Sequence, residues 1–213
     1  MEIIDLSHSI VEGMQIYPGD PSPSISRFLE HEKDYCHVDQ LSLGTHTGTH
    51  IDAPYHFIKD GKKINDFPID HFINSGVLVD VSHKAKNSPI EEKDIQPYQS
   101  SIQAGDFLIF RTGWDKFFNT KYYKEHPFIS KAVAELIVQW DISLVGVDAL
   151  NVDPTIEDTF LTHDVLLSHD ILIVENLCNL KEINQVRGMY SFLPLKLMDT
   201  DGSPIRAVYY NNA

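Results

Sequence analysis

The stretch Ser130-Lys131-Ala132-Val133-Ala134-Glu135-Leu136-Ile137-Val138-Gln139-Trp140-Asp141-Ile142-Ser143-Leu144-Val145-Gly146-Val147 holds two different periodicities in succession. Val133, Leu136, Ile137 and Trp140 recur at the spacing of one helical face, and Ser130 ahead of them has a side chain suited to cap a first turn. Leu144 to Val147 is then apolar at every position and too short for a helix. Such a run predicts a strand covered on both faces. A helix leading into a doubly buried strand is the building unit of a layered α/β domain.

Working outward, Val77 to Val81, Phe107 to Phe110 and Ile171 to Val174 repeat the pattern of Leu144 to Val147. A second, shorter helix is expected over Thr159 to Leu167. The N-terminal third is rich in turns: Ile3 to Leu6 reads as a short strand and Tyr17-Pro18-Gly19-Asp20-Pro21 as a turn. Cys36 to Leu43 partly alternates, as a half-buried strand does. Near the end, Tyr190 to Leu197 and Ile205 to Tyr210 read as strands, with turn chemistry at Asp201-Gly202. No repeat, low-complexity tract or linker divides the chain. We therefore expect a single α/β domain over residues 1–213, with a mixed sheet and flanking helices.

The 213 residues suffice for one sizeable core, and a hydrophobic share of 42% with 23% charged residues is that of an ordinary globular protein. A net charge of −14 argues against nucleic acid and against anionic membranes as partners, since like charges repel. Cys36 and Cys178 form no CxxC pair, and two reduced, buried thiols are expected. The start, MEIIDLSHSIVEG, has acidic residues where a signal peptide needs basic ones, and no run approaches the ~20 apolar residues of a membrane span. A cytoplasmic protein is expected.

Chemistry concentrates in His46-Thr47-Gly48-Thr49-His50-Ile51-Asp52-Ala53-Pro54-Tyr55-His56. His46, His50, Asp52 and His56 are all even-numbered and would share one face of an extended chain. Residues four apart in a straight strand lie ~13 Å from each other, too far for two ligands of one ion. The chain must therefore bend, and Gly48 is the residue that permits it. We expect a strand that kinks at Gly48 and stops at Pro54. Three imidazoles and a carboxylate on one face would be costly to bury without a metal or charge partners. Their donor set suits zinc or manganese better than calcium or copper(I). A triad of the acyl-serine type has no anchor, because no G-x-S-x-G appears.

A second polar group lies at Leu161-Thr162-His163-Asp164, Ser168-His169-Asp170 and Glu175-Asn176. Glu175 closes an apolar strand, a place that often lines α/β sites. On the residues alone, His163, His169, Asp164, Asp170, Glu175 and Asp148 could equally be caps, strand ends or surface groups.

The block Thr45 to Phe57 resembles the HxGTHxDxPxH signature of the cyclase family of metal-dependent hydrolases, which includes bacterial kynurenine formamidase and isatin hydrolase. Tyr17-Pro18-Gly19-Asp20, Ile173 to Leu177, Pro194-Leu195-Lys196 and Gly202 to Ala207 extend the resemblance over nearly the whole chain. It implies a swivelling β/β/α domain that assembles as a homodimer or higher oligomer. It further implies two divalent metal ions per subunit, zinc first and manganese second. His46, His50 and Asp52 would hold one ion; Asp52 and Glu175 would bridge to another bound by His163. His56 would be the general acid/base. The implied reaction is hydrolysis of a small aryl amide or formamide, N-formyl-L-kynurenine to L-kynurenine and formate. Formamidases of the family typically carry Trp where this chain has Tyr17, a ring that can still stack on a substrate. An isatin-like lactam as substrate, and a non-catalytic metal- or ligand-binding relative, stand as alternatives.

Overall fold

Runs that are apolar at every position need cover on both sides, and the architecture of this chain supplies it. The computed structural model describes residues 2–157 and 159–211. In chain order its strands are β1 (Glu2–Asp5), β2 (Ser24–Leu29), β3 (Val38–Ser42), β4 (His50–Asp52), β5 (Ile73–Asp80), β6 (Pro89–Ile90), β7 (Phe107–Arg111), β8 (Phe128–Ile129), β9 (Leu144–Val147), β10 (Leu172–Glu175), β11 (Arg187–Pro194) and β12 (Gly202–Asn211). The α-helices are α1 (His31–Asp34), α2 (Glu92–Ile95), α3 (Lys131–Gln139) and α4 (Leu161–Leu167).

The main sheet runs β1-β12-β11-β5-β7-β9-β10-β4, and β4 pairs again with β12. Seven strands thus close into a barrel-like ring. β1 lies beside the C-terminal half of β12, whose N-terminal end pairs with β4. The four central strands, β5, β7, β9 and β10, are mutually parallel; the remaining pairings are antiparallel. Mixed α/β character is as expected. The expected layering is met only in part, because β12 is long enough to pair with three strands and curls the sheet shut.

Alternation along the parallel strands explains their composition. Val77, Val79, Leu108, Phe110, Val145, Val147 and Ile173 point into a core shared with Val133, Ala134 and Ile137 of α3. Leu78, Phe107, Ile109, Leu144, Leu172 and Val174 point into a second core, to which every strand of the ring contributes. Ser130 caps α3, its hydroxyl accepting from the Val133 amide at 3.3 Å, as its position before the helix suggested.

Other boundaries moved. β11 ends at Pro194, and Gly202 opens β12 instead of forming a turn with Asp201. Both thiols are free as expected, but Cys36 is exposed and only Cys178 is buried.

Close approach between β11 and β12 depends on Gly188. A methyl group there would fall within the buried ring of Tyr209. Gly188→Ala is expected to cost about 1–3 kcal/mol through overpacking. Urea unfolding measures this, and an unshifted midpoint would contradict the packing described.

Candidate active site

The site grows from the short strand β4. His50 and Asp52 are two residues apart and share a face, while Ile51 between them is buried in the second core. Across the antiparallel pairing with β10, Glu175 stands directly opposite His50. Across the other edge, Gly202 stands opposite Asp52, and its lack of a side chain leaves room for the His46 ring.

His46 and His56 arrive by turns. The chain does bend at Gly48, whose φ of +66° favours glycine. Extended structure, however, covers only His50 to Asp52, so His46 enters through the loop before β4 and not along a continuous strand face. Pro54 stops the strand as expected and opens a 3₁₀ turn over Pro54–His56. That turn brings the His56 ring to 4.0 Å from the His46 ring.

Asp52 is the hub. Its Oδ1 lies 2.7 Å from His46 Nδ1 and 3.2 Å from His50 Nε2. Its Oδ2 lies 3.7 Å from His163 Nε2. Glu175 completes the group, with Oε2 3.7 Å from His50 Nε2 and Oε1 3.5 Å from His163 Nε2. The six residues to which the resemblance gives metal and proton roles, His46, His50, Asp52, His56, His163 and Glu175, therefore meet in one place, although over a hundred positions separate the ends of that span.

Two of the imidazoles are oriented from behind. His50 Nδ1 donates to the Gly48 carbonyl at 2.8 Å, and His163 Nδ1 donates to Asp153 at 2.7 Å. In each ring this leaves Nε2 aimed at the carboxylates, the arrangement by which outer partners fix a metal-binding imidazole. Asp153 also accepts from the Thr162 and His163 amides, so one side chain begins α4 and aims its histidine.

Charge balance reinforces the geometry. Burial disfavours a proton on His46, but Asp52 and Asp201 overcome it and raise its pKa to about 10. His163 behaves likewise: burial opposes the charge, and Asp153, Asp52 and Glu175 raise it to about 10. Burial also opposes the Asp52 carboxylate, yet His50 and His46 hold it well below the usual range. Glu175 is raised to about 7 by burial and by the nearby Asp52. The pocket thus draws positive charge inward.

Asp52 Oδ2 is buried and has no hydrogen-bond partner. Such an atom amid imidazole nitrogens fits a bound cation better than any protein donor present. Among the described residues, two overlapping groups could hold ions, His50–Asp52–Glu175, fully buried, and His46–Asp52–His56, nearer the surface. The donor chemistry therefore fits divalent metal.

A cavity of about 220 Å³ opens over the cluster, with Tyr17, Phe57 and Phe160 among its lining residues. The Phe57 ring stacks on His163 at 4.6 Å, and Tyr17 lies 6.5 Å from Phe160.

Sequence reasoning missed Asp201 and Asp153. Asp201 Oδ2 accepts from His46 Nε2 at 2.9 Å and from His56 Nδ1 at 3.3 Å. Its place before Gly202 read as turn chemistry, and no local pattern ties it to a histidine 155 positions away. Of the ambiguous residues, His169 and Asp170 are exposed, and Asp148 is buried, accepting from Thr112 and Gly113 at the end of β7.

The family model described as "Putative cyclase" matches residues 4–154. A kynurenine formamidase of Geobacillus thermodenitrificans is 30% identical over 205 residues, covering 96% of this chain and 95% of the relative. Among solved structures, one of a potential metal-dependent hydrolase with cyclase activity is 29% identical, with a TM-score of 0.82 over 100% of this chain and 98% of that one. An isatin hydrolase bound to the product analogue thioisatinate shares the fold, with a TM-score of 0.90 at 23% identity over 98% of this chain and 91% of its own.

Proposed function

The chain belongs to the cyclase family and is a hydrolase of carbon–nitrogen bonds other than peptide bonds, and from that premise we propose that it is an arylformamidase, converting N-formyl-L-kynurenine to L-kynurenine and formate. The observation that carries this reading is that Tyr17, Phe57 and Phe160 line the same cavity as the histidine–carboxylate cluster. An aryl ring packs against these aromatic side chains, which sets its formamide beside the histidines and carboxylates.

His46, His50, Asp52, His163 and Glu175 would hold two divalent ions, zinc by the donor set and manganese as the alternative. When bound, such ions acidify water and polarise a carbonyl. The protein's own residues handle position and protons. Asp201 fixes His56 through Nδ1, which leaves Nε2 as the nitrogen available to the cavity. His56 takes a proton from the attacking water and returns it to the departing nitrogen. An amine leaves poorly as an anion, so this transfer governs the breaking of the C–N bond.

A panel of N-formyl-L-kynurenine, formanilide and isatin tests the substrate. Turnover of N-formyl-L-kynurenine should exceed that of both others at least tenfold in kcat/KM. Preference for isatin would overturn the reading.

Ion removal should reveal the charge imbalance of the pocket. In ion-free protein the Glu175 pKa is raised from 4.5 to about 7, so the stability this permits is full below about 4.5 and lost as pH rises through about 7. His46 and His163, raised from 6.5 to about 10, contribute stability that is full below 6.5 and lost toward pH 10. Both effects have the same sign. Chelated protein is therefore expected to melt at progressively lower temperature as pH rises from about 5 to 9. A flat thermal profile with chelator present would contradict it.

A further inference from the structure

Two asparagines, Asn151 and Asn176, line the cavity beside the groups suited to hold ions and move protons. Asn151 is 3% exposed and Asn176 5%. They follow the neighbouring parallel strands β9 and β10, whose exits are tied together. The Asn176 amide donates to the Ala149 carbonyl at 2.9 Å, and the Val152 amide donates to Glu175 Oε1 at 3.0 Å. Both side chains therefore sit on adjoining segments of the cavity lining.

Each side chain has its oxygen fixed. Asn151 Oδ1 accepts from the Asp153 amide at 2.7 Å, and Asn176 Oδ1 accepts from the Tyr123 hydroxyl at 2.9 Å. Neither assignment reverses without loss. A backbone N–H can only donate, and Tyr123 is fully buried with no other acceptor for its proton among the described residues. The NH2 group is thus the end left over in both. Neither NH2 group has a hydrogen-bond partner among the described residues, and both residues border the same open space. Amide donors this deeply buried call for an acceptor.

The cavity selects which acceptor. Among the described residues no lysine or arginine lines it, so a carboxylate finds no cationic side chain there. A neutral carbonyl oxygen, with two lone pairs, matches two N–H donors. We propose that Asn151 and Asn176 together bind a ketone oxygen carried on the ring carbon next to the substrate's amide nitrogen, and so select ortho-acyl aryl amides. The inference rests on the reading of the protein as a hydrolase of aryl amides. It does not depend on which amide is preferred, since N-formyl-L-kynurenine and isatin both carry a carbonyl at that position. The scissile carbonyl belongs to the ion-holding cluster and His56, and the ketone is the acceptor that remains beside it. Tyr123 is a positioning residue that acts through Asn176.

Calorimetric titration of the metal-loaded enzyme with 2-aminoacetophenone and 4-aminoacetophenone tests this without turnover. The two compounds differ only in where the acetyl group sits. Wild type should bind the ortho isomer about tenfold more tightly. Asn151→Asp and Asn176→Asp keep the tied oxygen but exchange the donor for a second carboxylate oxygen, and aspartate tolerates the φ of +57° at position 176. Each should abolish the ortho preference. Asn176→Gly removes the donor without adding charge, suits the same backbone, and should do the same with metal content retained. Tyr123→Phe should reduce the preference by a smaller factor. The ratio of kcat/KM for N-(2-acetylphenyl)formamide over its 4-acetyl isomer should fall in parallel. Equal binding of both isomers by wild type overturns the proposal. So do variants that weaken both isomers to the same extent, as a merely structural role would. Failure of the arylformamidase reading shows separately, as isatin turnover without formamide turnover while the calorimetric preference stands.

Discussion

Replacing Asp52 with asparagine is expected to lower kcat/KM about a thousandfold, equivalent to ~4 kcal/mol of transition-state stabilisation, and to strip the protein of bound metal. The reason is topological. Asp52 belongs to both groups able to hold an ion, so one neutralised oxygen weakens both. Asparagine keeps the volume and β4 stays paired on both edges, so the fold should survive. Indeed, Asp52 is one of the causes that raise Glu175, and removing its charge relieves that repulsion. Against that, Asp52 also supports the protonated His46 and His163 and is itself held ionised by His50 and His46, so chelated Asp52→Asn should melt below chelated wild type near pH 8. Elemental analysis beside steady-state kinetics measures both losses. Full metal content with full turnover would sink the reading of Asp52 as the hub.

Why this site was largely legible beforehand, and the sheet's closure was not, follows from the range of the forces involved. His50 and Asp52 declare their shared face through a period of two, which is local. Gly48 and Pro54 announce a bend and a stop, also locally, and both occur. The four central strands reveal double burial because each must be apolar at every position. Closure into a ring is different. It depends on β12 meeting β4, β11 and β1 at once, pairings that join residues up to about 200 positions apart and leave no periodic trace. Asp201 was lost for the same reason, as its partners lie at the opposite end of the chain. His163 and Glu175 were ambiguous as isolated residues, since a helix start and a strand end are ordinary places for polar groups. Only the resemblance to the family separated His163 from His169. Physically, the difference is Asp153, which begins α4 and points His163 inward, whereas His169 lies past the end of the helix, its ring against the Val165 carbonyl.

His56→Ala should behave quite differently from the Asp52 substitution: metal is retained while kcat falls by about 10²–10⁴. His56 lies nearer the surface than His50, its side chain 28% exposed, and its ring is held by Asp201 instead of by the buried carboxylates. It could nonetheless serve as an ion ligand with His46 and Asp52, so the two roles must be told apart. Leaving-group dependence does so. A residue that delivers a proton to nitrogen matters most when the departing amine is basic, and least when an electron-poor aniline leaves almost unaided. Across a series of ring-substituted formanilides, the deficit of His56→Ala should shrink as the aniline becomes more acidic. Asp201→Asn should show a milder version of the same trend, because it loosens His56 without removing it. A uniform deficit across the series, accompanied by loss of metal, would instead place His56 among the ligands and leave the proton to another donor.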